Sequence, residues 1–244
     1  MTILGYNGSS IREFSMKKAF FIFTTLIGVL SCKCSDDGGG FSQKEQELVN
    51  GADSIMRVLT IEDSLDNAVL RASSRDFSAE ALLSSEFERL SELMVATVTH
   101  PSQDGVGIAG PQVGLNRRVV AVQRFDKEGE PFEVYPNIRI VWASDSLAYG
   151  PEGCLSVPDR RSDVLRSQEI VVEYADIRAL AAGRAAEGQY GRTSEGHEHS
   201  SGSSAGHMRN ANIPMVRDTV RGFTAVIFQH EVDHLDGILY IDRL

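Results

Sequence analysis

The chain has 244 residues, 42% of them hydrophobic, and a formal net charge of −10 at pH 7. That balance disfavours tight, nonspecific binding to nucleic acid, which depends on Lys and Arg neutralising phosphates. Two of the three cysteines, Cys32 and Cys34, lie too close together for a comfortable structural disulfide, so cysteine usage fixes no redox compartment. No repeat is visible. With a leader and one insertion set aside, about 170 residues remain, enough for one well-filled core.

Met1 to Ser15 is short, polar and unpatterned, and Met16 makes the better start. Lys17-Lys18 follows, then an apolar run from Ala19 to Leu30, then Ser31-Cys32. A basic end, a short apolar core and a small residue are the layout of a secretory signal peptide. The core is too short to span a bilayer as a mature helix. Val29-Leu30-Ser31-Cys32 is arranged like a bacterial lipoprotein box, so Cys32 is expected to be lipidated and to attach the chain to a membrane. Ser35-Asp36-Asp37-Gly38-Gly39-Gly40 would be its acidic, glycine-rich tether. The expected location is the cell envelope, lipid-anchored; the alternative is a cytoplasmic protein that buries the apolar run as a helix. Residues 1–40 thus form a leader and 41–244 a single domain.

Gln43 to Asn67 is polar and predicts a tether with a short helix. Phe87, Leu90, Leu93, Met94 and Val98 recur at three- and four-residue steps, predicting one amphipathic helix from Ala79 to Thr99. His100, after its end, reads as a cap or surface residue. Gly105-Val106-Gly107-Ile108-Ala109-Gly110-Pro111-Gln112 is a glycine-rich loop without the Lys-Ser/Thr of a P-loop. Such a loop lets another backbone come close, as when an extended peptide binds by strand addition, which makes Val106 and Gly107 candidate substrate contacts. Gln112 could present an amide N–H to a developing oxyanion, or be an ordinary turn residue.

Arg118 to Gln123 reads as a β-branched strand, Asp126 to Gly129 as a turn, and Phe132 to Trp142 as extended chain. Glu152-Gly153-Cys154-Leu155-Ser156 is turn-like, and Ile170 to Tyr174 is a half-buried strand. Arg178 to Asp218 is rich in Gly, Ser and charge, predicting a flexible excursion centred on about 180–215. Its His197, His199 and His207 are of a type that can gather a metal, but a solvated loop accounts for them as well. Strands precede the last helix, so the order argues for an α+β fold, with antiparallel or mixed sheets packed around that helix.

The last helix carries Gln229-His230-Glu231-Val232-Asp233-His234-Leu235, behind the apolar run from Phe223 to Phe228. Residues four apart share a helix face, so His230 and His234 can hold one metal ion, and Glu231 is placed to move the proton of a water. Two buried, hydrogen-bonded histidines at a chance spacing are the alternative. A catalytic site of this kind needs a third protein ligand. A third histidine six residues on falls on Tyr240, so the ligand is expected upstream, and Cys154 is the candidate. A free cysteine behaving as a small hydrophobe is the competing reading of Cys154.

Taken together, the glycine loop, the Glu-Gly-Cys-Leu-Ser turn and the Gln-His-Glu-x-Asp-His-Leu helix, in that order, resemble the peptide deformylase family. The second and third motifs match fully; the first departs once, with Gly110 where the family usually has alanine. The resemblance runs from about Ile55 to Leu244, and in the family a tight hairpin stands where 178–218 is inserted. It implies metal-dependent hydrolysis of the formyl group of N-formylmethionyl peptides, with Cys154, His230 and His234 as ligands. It implies ferrous iron, with zinc, nickel or cobalt able to take its place. It also implies Glu231 as the proton carrier, the Gln112 amide and the Leu155 backbone N–H at the oxyanion, Arg161 at the side-chain pocket, and Arg166 paired with Glu152. The partner expected is an N-formylated peptide, and the chain is expected to act as a monomer. An envelope metallo-amidase of other specificity and a nonenzymatic peptide- or metal-binding lipoprotein are the rival readings.

Overall fold

A computed structural model of the chain describes residues 38–190 and 213–244. Helices α1 (Gln43–Asn50), α2 (Ser64–Leu70), α3 (Ala79–Leu82) and α4 (Ser85–Val98) come first. Strands β1 (Gly107–Ala109), β2 (Val119–Gln123), β3 (Phe132–Pro136), β4 (Arg139–Ala143), β5 (Leu147–Cys154), β6 (Val157–Ser167) and β7 (Glu169–Ala175) follow. Helix α5 (Ile177–Tyr190), strand β8 (Met215–Arg221) and helix α6 (Gly222–Leu235) close the order, with 3₁₀ turns at Gly110–Val113 and Tyr240–Arg243.

The strands form three antiparallel sheets, β1-β2-β3, β4-β7-β8 and the hairpin β5-β6. Alternation along β2 shows how the layers are built. Val119 and Ala121 join the cluster of Val49, Phe87, Leu90 and Met94 under α1 and α4. Val120 and Val122 point the other way, to Phe228, Val232 and Leu235 of α6, which also meet Ile170 and Val172 of β7. Helix α6 is therefore held by both three-stranded sheets. Each such side chain contributes about 1.5–3 kcal/mol on burial. This is the expected α+β arrangement around the last helix.

The single helix predicted over Ala79–Thr99 is two. Ser84 takes an extended conformation and accepts a hydrogen bond from the Phe87 N–H, capping α4, while Ser78 caps α3 in the same way. Two serines that satisfy backbone donors locally break a periodicity that otherwise runs on. The extended stretch expected from Phe132 to Trp142 is likewise two strands, turned at Asn137 with φ 53°. Residues Ile177–Tyr190, where an excursion is expected, are helical through an alanine-rich run of high propensity. The rest of the insertion, with His197, His199 and His207, lies outside the described residues, as do the signal-like run, Cys32 and Cys34. Among the described residues no helix is long and apolar enough to cross a membrane.

The polar stretch ahead of the family-like core is tied down. Ser42 and Glu45 form a reciprocal capping box on α1, and Arg117, with a fully buried side chain, pairs with Glu45 at 2.7 Å. Gly39 and Gly40, at the end of the expected tether, accept from the Ser78 N–H and from Arg117.

Candidate active site

Helix α6 starts at Gly222, whose φ of +59° lets the chain turn straight from β8 into the helix. One turn apart on it, His230 and His234 stand with ring centroids 5.1 Å apart. Cys154 ends β5 where the register with β6 slips after Gly153, which turns the thiol out of the hairpin. Its Sγ lies 3.2 Å from His234 Nε2. One donor atom from each of Cys154, His230 and His234 falls within 4.8 Å of the others. A thiolate and two imidazoles, half-buried or buried, form a donor set suited to iron or zinc, so the residues present fit a metal ion.

The surroundings commit each ligand. Glu152 Oε2 takes His230 Nδ1 at 2.8 Å, leaving Nε2 as the donor atom. Arg166 donates to both Glu152 oxygens, at 2.7 and 3.0 Å, and to Asp233 at 2.6 Å. Arg243 closes the chain of charges on Asp233. Burial would raise the Glu152 carboxyl, but the bonds from His230 and Arg166 hold it at about 2. Burial also opposes a charged His230, yet Cys154 and Glu152 lift it well above the ordinary range. His234 goes the other way, well below it, because it is buried and faces the charge of His230. Tyr240, which occupies the position of the absent third histidine, lies nearly parallel to the His230 ring at 6.0 Å.

Glu231 is buried and its Oε2 has no hydrogen-bond partner among the described residues. Burial, together with the charges of Glu152 and Asp233 and against that of His230, pushes its carboxyl up to about 7. A Cβ at Gly107 would sit 2.5 Å from Glu231 Oε1, so only glycine leaves the carboxylate its place. The 3₁₀ turn after β1 fixes Gln112: its Oε1 accepts the Ala109 N–H at 2.8 Å, which aims Nε2 at Ser156 Oγ (3.2 Å) and Cys154 Sγ (3.6 Å). A cleft of about 900 Å³ opens over these groups and is lined by Val106, Gly107, Gln112, Leu155 and Arg161 among others. Cys154, His230, His234, Glu231, Gln112, Leu155, Val106, Gly107 and Arg161 thus lie around one place.

Sequence reasoning missed several neighbours. Nothing local ties Glu152 to His230, 78 positions away, or Ser156 to Gln112. Asp233 gave one usable signal, a charged residue on a helix otherwise apolar enough to be buried. Phe223, Val226 and Ile227 form the apolar wall of the cleft, which an apolar run along a helix does not by itself distinguish from core.

A family model described as Polypeptide deformylase matches residues 55–193 and 207–244. Peptide deformylase 2 of Gloeobacter violaceus is 32% identical over 183 residues, 74% of this chain and 76% of that protein. The actinonin-bound crystal structure of the class I type b peptide deformylase from Acinetobacter baumannii covers 79% of this chain and 99% of its own, with TM-score 0.57 and 29% identity. Its Met-Ala-Ser-bound form covers 78% and 98%, with TM-score 0.56 and 29% identity.

Proposed function

The chain belongs to the polypeptide deformylase family, and on that premise we propose how this cleft takes formate from an N-formylmethionyl peptide. The activity is that of a peptide deformylase, a metal-dependent hydrolase of the N-formyl amide. Cys154, His230 and His234 would hold the metal, which we take to be ferrous iron, with zinc, nickel or cobalt able to use the same donors. A divalent ion there supplies a Lewis acid that polarises the formyl carbonyl and acidifies water.

The chain's own groups do the rest. β1 and β5 each have one edge without a strand partner among the described residues, and both border the cleft through Gly107 and Gly153. A peptide enters between them by strand addition, contacting Val106 and Gly107, and its methionine side chain reaches the pocket beside Arg161. Glu231 takes a proton from the attacking water as its oxygen bonds to the formyl carbon. Gln112 Nε2 and the Leu155 N–H donate to the oxyanion. As the C–N bond breaks, Glu231 returns the proton to the departing amine, leaving formate and a free amino terminus. A carboxyl held at about 7 can both accept and give a proton near neutrality. The carrying observation is this buried, unpartnered Glu231 oxygen beside a Cys-His-His cradle. Formate release from formyl-Met-Ala-Ser tests it: turnover abolished by Glu231→Ala with metal retained supports it, and an active, metal-loaded Glu231→Ala protein overturns it.

We propose further that lipidated Cys32 anchors the enzyme, as a monomer, to the cell envelope, where it meets formylated peptides away from the ribosome. The support is Lys17-Lys18, the apolar run to Leu30 and the small residue before the cysteine. Loss of the membrane-bound fraction in Cys32→Ser is the expected result; an unchanged distribution would overturn anchoring through Cys32.

A further inference from the structure

We propose that the substrate track continues past the cleft along the β5–β6 hairpin, so that formylated polypeptides longer than a tripeptide are gripped at Tyr149, with Leu165 behind it on β6. This rests on the deformylase reading above and extends it to the length and character of the substrate. The hairpin has two unlike faces. Glu152, Val164 and Arg166 point inward and are buried. On the other face, the register sets Gly153 opposite Arg161, Pro151 opposite Asp163, Tyr149 opposite Leu165 and Leu147 opposite Ser167. Gly153, Arg161 and Pro151 line the cleft. Beyond them the same face carries Tyr149, Leu165 and Leu147, which are 73%, 41% and 52% exposed.

Three large apolar side chains on one exposed face, continuous with a peptide-binding cleft, call for an apolar occupant. Among the described residues β5 has no strand partner on its outer edge, whose carbonyls guide the occupant there, although Pro151 has no N–H to add. Strands advance about 3.3 Å per residue, so Tyr149 lies roughly 13 Å beyond Gly153. A peptide paired to that edge brings a side chain about four residues downstream of its contact with Gly153 onto Tyr149. An aromatic or branched apolar residue there is the class of substrate favoured, and Asp163 midway along disfavours an acidic one.

The test compares kcat/KM of the metal-loaded enzyme for formyl-Met-Ala-Ser with that for eight-residue formyl peptides carrying Phe or Asp at successive positions from the fourth to the seventh. The Phe peptide is expected to gain about tenfold over the tripeptide at one position, mostly in KM, from apolar area buried on the hairpin. The ratio of long to short peptide should fall towards one in Tyr149→Ser, and in part in Leu165→Ser, which stands behind Tyr149 on β6. Equal kcat/KM at all lengths, or a gain that survives both substitutions, overturns the proposal. Failure to release formate even from the tripeptide would instead strike the deformylase reading. A dimer in sedimentation that Tyr149→Ser dissociates, with length dependence unchanged, would give this face to a second copy and also overturn it.

Discussion

Glu152 and Glu231 are carboxylates of one cleft, and their neighbours drive them to opposite ends of the scale. Arg166 and His230 keep the first at about 2, a fixed negative charge behind a ligand; burial without a partner lifts the second to about 7. That contrast assigns different tasks and different losses. Glu231→Ala should bind metal normally and lose about three orders of magnitude in kcat, the scale of a missing general base, as formate release beside metal analysis will show. Glu152→Gln should instead weaken metal affinity by about 10- to 100-fold, read by competition with a chelator, because it orients His230. The His230–His234 spacing was legible because a helix repeats. The Glu152–His230 bond was not, since a contact across 78 positions leaves no local trace.

At the scale of elements, the glycine loop shows what spacing alone cannot say. Gly110 stands where the family usually has alanine, and a Cβ there would come within 2.6 Å of the Arg117 carbonyl and 2.8 Å of that of Leu115. The 3₁₀ turn carrying Gln112 is thus packed backbone to backbone in this chain. Restoring the methyl in Gly110→Ala should therefore destabilise by about 1–3 kcal/mol in urea unfolding, rather than improve activity. The last helix was legible throughout, because its apolar run and its ligands coincide. The break between α3 and α4 was not: Ser84 is one serine among several, and its role depends on the extended backbone it adopts. Ser84→Ala should cost about 1 kcal/mol, measurable in the same assay.

At the scale of the molecule, Arg117–Glu45 and Arg124–Asp218 fasten separate elements, and Arg124 also holds Asp126 two residues on. Asp126 is held below the ordinary carboxylate range by the hydrogen bonds of Arg124, and Glu45 by those of Arg117 and Ser42, which outweigh its burial. Lowered folded-state values mean that the unfolded chain binds more protons in acid. This stability is complete above the unfolded carboxylate range, about pH 4, and drains away as pH falls through the lower folded values. Unfolding free energy should accordingly drop more between pH 5 and pH 3 in the parent than in Asp126→Asn; equal drops would contradict it. The α+β order and the convergence of three separated motifs were legible from chain order and chemistry. The docking of α1 through a buried arginine was not, because polar sequence reads as tether until its partner is found.

The most direct measurement is formate release from formyl-Met-Ala-Ser by the iron-loaded protein, prepared without oxygen, alongside its Glu231→Ala variant. The account predicts rapid release by the parent and release slowed about a thousandfold in an equally metal-loaded variant. Comparable rates in both, or release by neither when folded and loaded, would contradict it.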